Sequence, residues 1–186
     1  MANKEQVALL KQGSEAWNEW RKQNPDAWID LRYTYLDSTD LRYANLSRAD
    51  FSETYLERAN LEGADLWGAN FYKAHLRYAS LSKTDLRYAR LSSADLSNVN
   101  LTKAKLSFAD LWGVNLRDSS LRHSNLSDAN FCKANLTGVD LTGVDLSFAN
   151  LQEVRGLTAE KLSQIRLCRT KLPKGIDLDP DRDCRY

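Results

Sequence analysis

The stretch Leu31-Arg32-Tyr33-Thr34-Tyr35-Leu36-Asp37-Ser38-Thr39-Asp40-Leu41-Arg42-Tyr43-Ala44-Asn45-Leu46-Ser47-Arg48-Ala49-Asp50, followed at once by Phe51, returns to a large apolar residue at every fifth position. The step runs unbroken through 25 pentads, so that every fifth residue from Leu31 to Leu151 is Leu or Phe. Two positions before each lies a second restricted column, from Ile29, Thr34, Thr39 and Ala44 through to Ala149 and Val154, which after Ile29 holds only Ala, Thr, Val and Ser. Between the two columns stands mostly Asp or Asn, as at Asp50, Asp65, Asn70, Asp95, Asn115 and Asn130, and the two residues after the Leu vary freely.

A period of five matches neither the 3.6 of an α-helix nor the 2 of a strand, so the chain has to turn a corner once per pentad. Four right-angled corners close a square coil of four pentads, and successive coils stack at about 4.8 Å, the spacing of strands in a sheet. So narrow a square holds one large and one small side chain per edge. The Leu/Phe column fills the centre, the small column packs near the corners, and Asp or Asn suits the turns by accepting from nearby backbone amides. Gly63, Gly68, Gly113, Gly138 and Gly143 all fall two positions after the Leu, where a positive φ is expected. Residues 20 apart should stack, and the three central phenylalanines, Phe51, Phe71 and Phe131, do share one of the four faces. Tyr88, Phe108 and Phe148 share an outward column on another.

This pattern of small residue, Asp or Asn, Leu or Phe, and two variable positions resembles the pentapeptide-repeat family over residues 29–155. The resemblance implies an all-β solenoid, a right-handed quadrilateral β-helix. It says less of function, because members include gyrase-protecting DNA mimics, cyanobacterial regulators of cell differentiation and many proteins of unknown role. The flanks Leu9-Leu10-Lys11-Gln12-Gly13, Trp17-Asn18-Glu19-Trp20-Arg21 and Gly156-Leu157-Thr158-Ala159-Glu160-Lys161-Leu162 resemble those of cyanobacterial members.

A stacked coil exposes unpaired edges at both ends and needs caps. Residues 1–28 read as a helical N-terminal cap, with Leu9, Leu10, Gly13, Ala16, Trp17 and Trp20 on one stripe, a division at Gly13-Ser14 and a stop at Pro25. Trp17, Trp20 and Trp28 are read as cap packing. Residues 156–186 read as a C-terminal cap helix and tail, with Thr158 as N-cap. Cys168 and Cys184 flank the proline-containing tail. A disulfide between them clamps that tail, worth about 3 kcal/mol for a loop of about 15 residues, whereas a cytoplasmic setting keeps both as thiols.

The charges nearly cancel, 26 Lys plus Arg against 25 Asp plus Glu, which counts against a polyanion binder and against a mimic of one. Residues 31–155 hold 15 of each sign, dispersed over the faces. Met1 to Gln6 lead into an amphipathic stretch, and no run of about 18 apolar residues occurs, so neither secretion nor membrane insertion is expected and the location is read as cytoplasmic. The chain carries no phosphate loop, no C-x-x-C pair and no H-E-x-x-H, and its two histidines, His75 and His123, are far apart in sequence and on different faces. No catalytic, cofactor or metal site is expected.

Two groups of outward residues are the candidate contact sites. Tyr72 and Trp112 share a column as exposed aromatic anchors. Lys83, Lys103 and His123 share another, with Lys105 and Arg122 on either side as a basic strip. The function that fits is a non-enzymatic scaffold showing flat solenoid faces to an unidentified protein partner, as a monomer rather than a cap-mediated homodimer. The alternative is a nucleic-acid-related regulator that protects a topoisomerase, which the near-neutral charge disfavours.

Overall fold

The computed structural model describes residues 2–184. From Asp30↔Asp50 to Asn135↔Arg155, every residue preceding a central Leu or Phe forms a parallel bridge with its counterpart four pentads on. One corner per pentad makes each turn of the chain a square coil. The bonding repeats with the pentad: the Leu31 amide donates to the Asp50 carbonyl and the Asp50 amide to that of Ile29, both at 2.9 Å. The corner itself closes when a small-column amide bonds back to the central residue, as Ala44 N–H does to Leu41 O at 3.2 Å.

The third residue of every turn has positive φ, a requirement of type II turns. Glycine meets it at Gly63, Gly68, Gly113, Gly138 and Gly143, but Lys83, Lys103, Phe108 and Phe148 hold φ of 59°, 60°, 62° and 62°. Such a left-handed residue costs on the order of 1–2 kcal/mol, so the ladder and core hold the corners where they are. The Asp or Asn before the Leu completes each turn by accepting from the amide two residues on, as Asp95 Oδ1 does from Ser97 at 3.1 Å.

The central column is sealed. Its members are at most 1% exposed, except Leu141 at 6%, and Phe51 stacks on Phe71 at 4.8 Å with the rings 1° from parallel. Where the small column buries a hydroxyl, a nearby main-chain carbonyl takes it: Thr54 bonds Leu31 O at 2.7 Å and Ser119 bonds Leu96 O at 2.7 Å. These bonds let polar side chains lie in an apolar wall.

Side chains stand in for missing coils at the ends. Two helices, α1 (Lys4–Leu10) and α2 (Ser14–Gln23), divide at Gly13, whose φ is 116°. Leu10 and Trp17 are fully buried. The Gln6 carboxamide donates to Trp28 O at 2.8 Å and accepts from Asp30 N at 3.0 Å. Asn18 likewise joins Tyr43 O at 2.9 Å and Asn45 N at 2.7 Å, while Trp17 Nε1 donates to Asn45 O. A primary amide carries the donor and acceptor of a peptide, so it can occupy a strand edge. Trp28 differs from its expected role in packing: its carbonyl is held but its ring is 64% exposed.

At the far end the ladder passes Arg155, where the strict period stops. Arg166 bridges Asp145 and Lys171 bridges Asn150, each one position later than the repeat would place it. The extra residue is absorbed by helix α3 (Ala159–Ser163), N-capped by Thr158, which takes the place of one coil edge and buries Leu162. Ile165 and Leu167 then resume the small and central columns. Above them the tail supplies carboxylates: Asp183 accepts from Leu167 N and Asp181 from Arg169 N, both at 2.9 Å. A further coil would present carbonyls to those same amides. Cys168 and Cys184, with Cα atoms 4.8 Å apart, are joined by a disulfide that ties this tail to the last coil.

Ala94, at 1% exposure in the small column, has no room beside it. Ala94→Trp should cost at least about 3 kcal/mol through overpacking, a fall of about 6–12 °C in Tm. A thermal melt that matches the parent's would remove the small column from the wall.

Candidate functional site

Backbone and core leave two residues per pentad free to vary, and the position before the central Leu, mostly Asp or Asn, also presents exposed side chains such as Tyr35 and Lys105. The first of the two follows the central Leu on a face, and the second sits at the corner with positive φ and projects outward. Any function has to be written in columns of these residues.

Tyr72 and Trp112 lie in one column of one face, as expected, but two coils apart with Ser92 between them. Each carries a lysine: Lys73 Nζ lies 5.2 Å from the Tyr72 ring centre and Lys133 Nζ lies 5.4 Å from that of Trp112. The intervening Ser92 hydroxyl is bound to the Asp110 carboxylate at 2.5 Å. The two aromatics are therefore separate exposed side chains, each beside a cation.

Partial neutralisation thins the basic strip. Lys83 pairs with Glu62 at 2.7 Å and Arg122 with Asp140 at 3.0 Å. Glu62 holds the Lys83 ammonium above its ordinary pKa through that hydrogen bond. Lys103 and Lys105 form no ion pair among the described residues, and the His123 ring lies directly below Gly143, where an added Cβ would meet Nδ1 in a hard clash. What remains of the strip without an ion pair among the described residues is Lys103 at a corner and Lys105 two residues on. His75 is not simply solvated: it ends a ladder in which Tyr35 stacks on Tyr55 at 4.8 Å and Tyr55 on His75 at 4.6 Å.

Three turn carboxylates are also locally balanced. Where Asp precedes the central Leu and Arg follows it, the two pair across the turn: Asp30–Arg32 at 2.7 Å, and Asp40–Arg42 and Asp85–Arg87 at 2.6 Å. The arginine holds each of these carboxyls below its usual pKa. Among the described residues no cluster of three or more His, Cys, Asp or Glu could hold a metal, and no helix is long and apolar enough to cross a membrane.

A further surface received no role from sequence reasoning. Trp67 meets Tyr88 edge-on at 5.8 Å, and Tyr88 stacks on Phe108 at 5.0 Å, 4° from parallel. Arg48 lies 5.0 Å over the Trp67 ring. Tyr88, Phe108 and Phe148 stay about half exposed, so an apolar ridge runs along one corner of the rod. The recurrence of Tyr88, Phe108 and Phe148 on a multiple of 20 was the available signal. That Trp67 leans onto the same ridge is decided by its rotamer.

The repeat is matched by known families. Two family descriptions match the chain, a pentapeptide repeat region over residues 55–131 and pentapeptide repeats (8 copies) over residues 29–68 and 119–155. Among solved structures, a pentapeptide repeat protein from the Arabidopsis thaliana thylakoid lumen is 34% identical, with 61% of this chain and 68% of that one covered and a TM-score of 0.37. Rfr23 from the cyanobacterium Cyanothece 51142 is 23% identical over 74% of this chain and 96% of its own, with a TM-score of 0.32. QnrB1, a plasmid-mediated fluoroquinolone resistance protein, is 17% identical over 78% of this chain and 82% of its own, with a TM-score of 0.47. No curated protein matches the chain.

Asp140 ties the basic strip to the fold. The Thr142 hydroxyl and amide, with Arg122, lower its carboxyl to a pKa of about 2. Its folded value lies below the roughly 3.9 of an unfolded chain, so the stabilisation is present above about pH 4 and fades as pH falls towards 2. Asp140→Asn should therefore be less stable than the parent at pH 7, with the gap closed near pH 2 in parallel thermal melts. A pH-independent gap would mean that the carboxylate charge contributes nothing.

Proposed function

The chain belongs to the pentapeptide-repeat family, and from that premise we propose that it is a non-enzymatic scaffold whose outer columns bind a protein partner. The observation that carries this reading is the ridge in which Trp67 packs edge-on against Tyr88 and Tyr88 stacks on Phe108, with Tyr88 and Phe108 left about half exposed on the outside of the rod. Aromatic side chains left in water on a soluble protein are the usual anchors of interfaces. Here they are already ordered by stacking, so little rotamer freedom remains to be lost on binding. The isolated anchors Tyr72 and Trp112 and the unpaired Lys103 and Lys105 extend the readable surface to other faces.

The pairing of Asp30, Asp40 and Asp85 with arginines speaks against the alternative of a phosphate-like acidic array. Pairing of Lys83 and Arg122 speaks equally against a nucleic-acid groove, which needs free cations. Gln6, Trp17 and Asn18 occupy the edge of the first coil, which supports a monomer over a cap-mediated dimer. The Cys168–Cys184 disulfide favours an oxidising compartment over the cytoplasm expected from the sequence, because cytosolic thiols stay reduced. Thiol titration of the protein as isolated, in denaturant, should then count one reactive cysteine, Cys132. Three would return the rod to a reducing compartment.

The scaffold reading is tested by capture from native extract with three rods: the parent, Tyr88→Ser with Phe108→Ser, and Tyr72→Ala with Trp112→Ala. All three should melt alike, since the altered side chains are exposed. A stoichiometric partner held by the parent and lost from the ridge variant is the expected result. If every protein bound by the parent is bound equally by both variants, the aromatic columns are not the working surface.

A further inference from the structure

The ridge contains a gap with a distinct chemistry. Along its corner column the residues run Tyr88, Phe108, Asp128, Phe148, with φ of 60°, 62°, 60° and 62°. A common backbone conformation gives the four side chains a common direction outward. The Tyr88 and Phe108 rings lie parallel at 5.0 Å, so a ring in this column lies across the rod axis, one per coil. Phe108 and Phe148 stand two coils apart, about 10 Å at strand spacing. The place between them, wide enough for one planar group, holds no ring. It holds the shorter Asp128, so the spacing of the column leaves a slot between the Phe108 and Phe148 side chains with a carboxylate at its base.

That carboxylate is free, whereas its neighbours are not. Asp140 pairs with Arg122 and Asp145 with Arg166, but Asp128 enters no ion pair and no side-chain hydrogen bond among the described residues; only its amide is used, donating to Ser147 O. Nearby cations do not pair with it among the described residues: Lys133 lies over Trp112, and Arg169, one coil above Phe148 in the same column, makes no ion pair with it.

We infer that this slot receives the guanidinium of an arginine side chain carried by the partner protein, an inference that rests on the ridge being the contact surface. A guanidinium is planar, weakly hydrated and stacks on aromatic faces, and its forked donors match a carboxylate in a bidentate pair. Sandwiched between Phe108 and Phe148, it meets Asp128 end-on. A neutral ring would fill the same space but would strip water from the carboxylate without replacing its hydrogen bonds. A lysine ammonium satisfies the charge but offers no plane to the two rings.

The test is titration of the isotopically labelled protein with N-acetyl-arginine amide and, separately, N-acetyl-lysine amide, following the backbone amides of Phe108, Asp128 and Phe148. The arginine compound should give saturable shifts centred on these three, with affinity at least about fivefold above that of the lysine compound. Asp128→Asn and Phe148→Ala should each weaken it by about fivefold or more while keeping the parent's Tm. Shifts that do not saturate, an affinity unmoved by Asp128→Asn, or equal binding of lysine overturns the inference. Failure here with ridge-dependent capture intact removes the slot and leaves the scaffold. Arginine binding that persists when capture ignores the ridge removes the scaffold reading and leaves the slot.

Discussion

The whole structure depends on one constraint, the closure of the chain upon itself once every four pentads through main-chain hydrogen bonds. The residue before each central Leu donates to the coil below, and its carbonyl accepts from there too. No pentad can gain or lose a residue without breaking this ladder on every face beyond it. The one extra residue in the stack lies where an edge of the coil has been given to α3, after which Arg166 and Lys171 rejoin the ladder. The same constraint imposes positive φ at corners occupied by Lys, Phe and Glu, a local strain that the closed lattice and sealed core outweigh.

That lattice converts sequence columns into physical stacks. Side chains 20 apart meet at about the coil spacing, whether inside, as Phe51 on Phe71, or outside, as Tyr88 on Phe108 and Tyr55 on His75. A substitution in a stack leaves a space of fixed width, since the coils cannot collapse into it. The Asp128 slot and the Ser92 gap between Tyr72 and Trp112 arise in this way. They differ in their floors: Ser92 is bound to Asp110, while the Asp128 side chain has no hydrogen-bond or ion-pair partner among the described residues.

The ends obey the same rule by other means. Carboxamides of Gln6 and Asn18 replace peptides below the first coil, and carboxylates of Asp181 and Asp183 replace carbonyls above the last. The disulfide fixes the tail that delivers those carboxylates, so the compartment's redox state bears on how the rod is closed.

The sequence by itself determined the coil, since a five-residue period with Leu or Phe, a small residue and Asp or Asn can be satisfied by only one backbone path. Each of these signals is local: a turn needs its Asx acceptor two residues away, and a central position needs an apolar side chain wherever it falls. The column sharing of Tyr72 with Trp112, of Lys83, Lys103 and His123, and of Tyr88, Phe108 and Phe148 followed from arithmetic. Only the tertiary structure decided which of these columns carries free chemistry. Lys83 reaches Glu62 in the coil before it and Arg122 reaches Asp140 in the coil after it, choices made by long rotamers that no period encodes. Trp28 turned outward and residues 165–172 rejoined the ladder for the same kind of reason: at the ends the repeat stops, and what packs where depends on which edges are left unpaired.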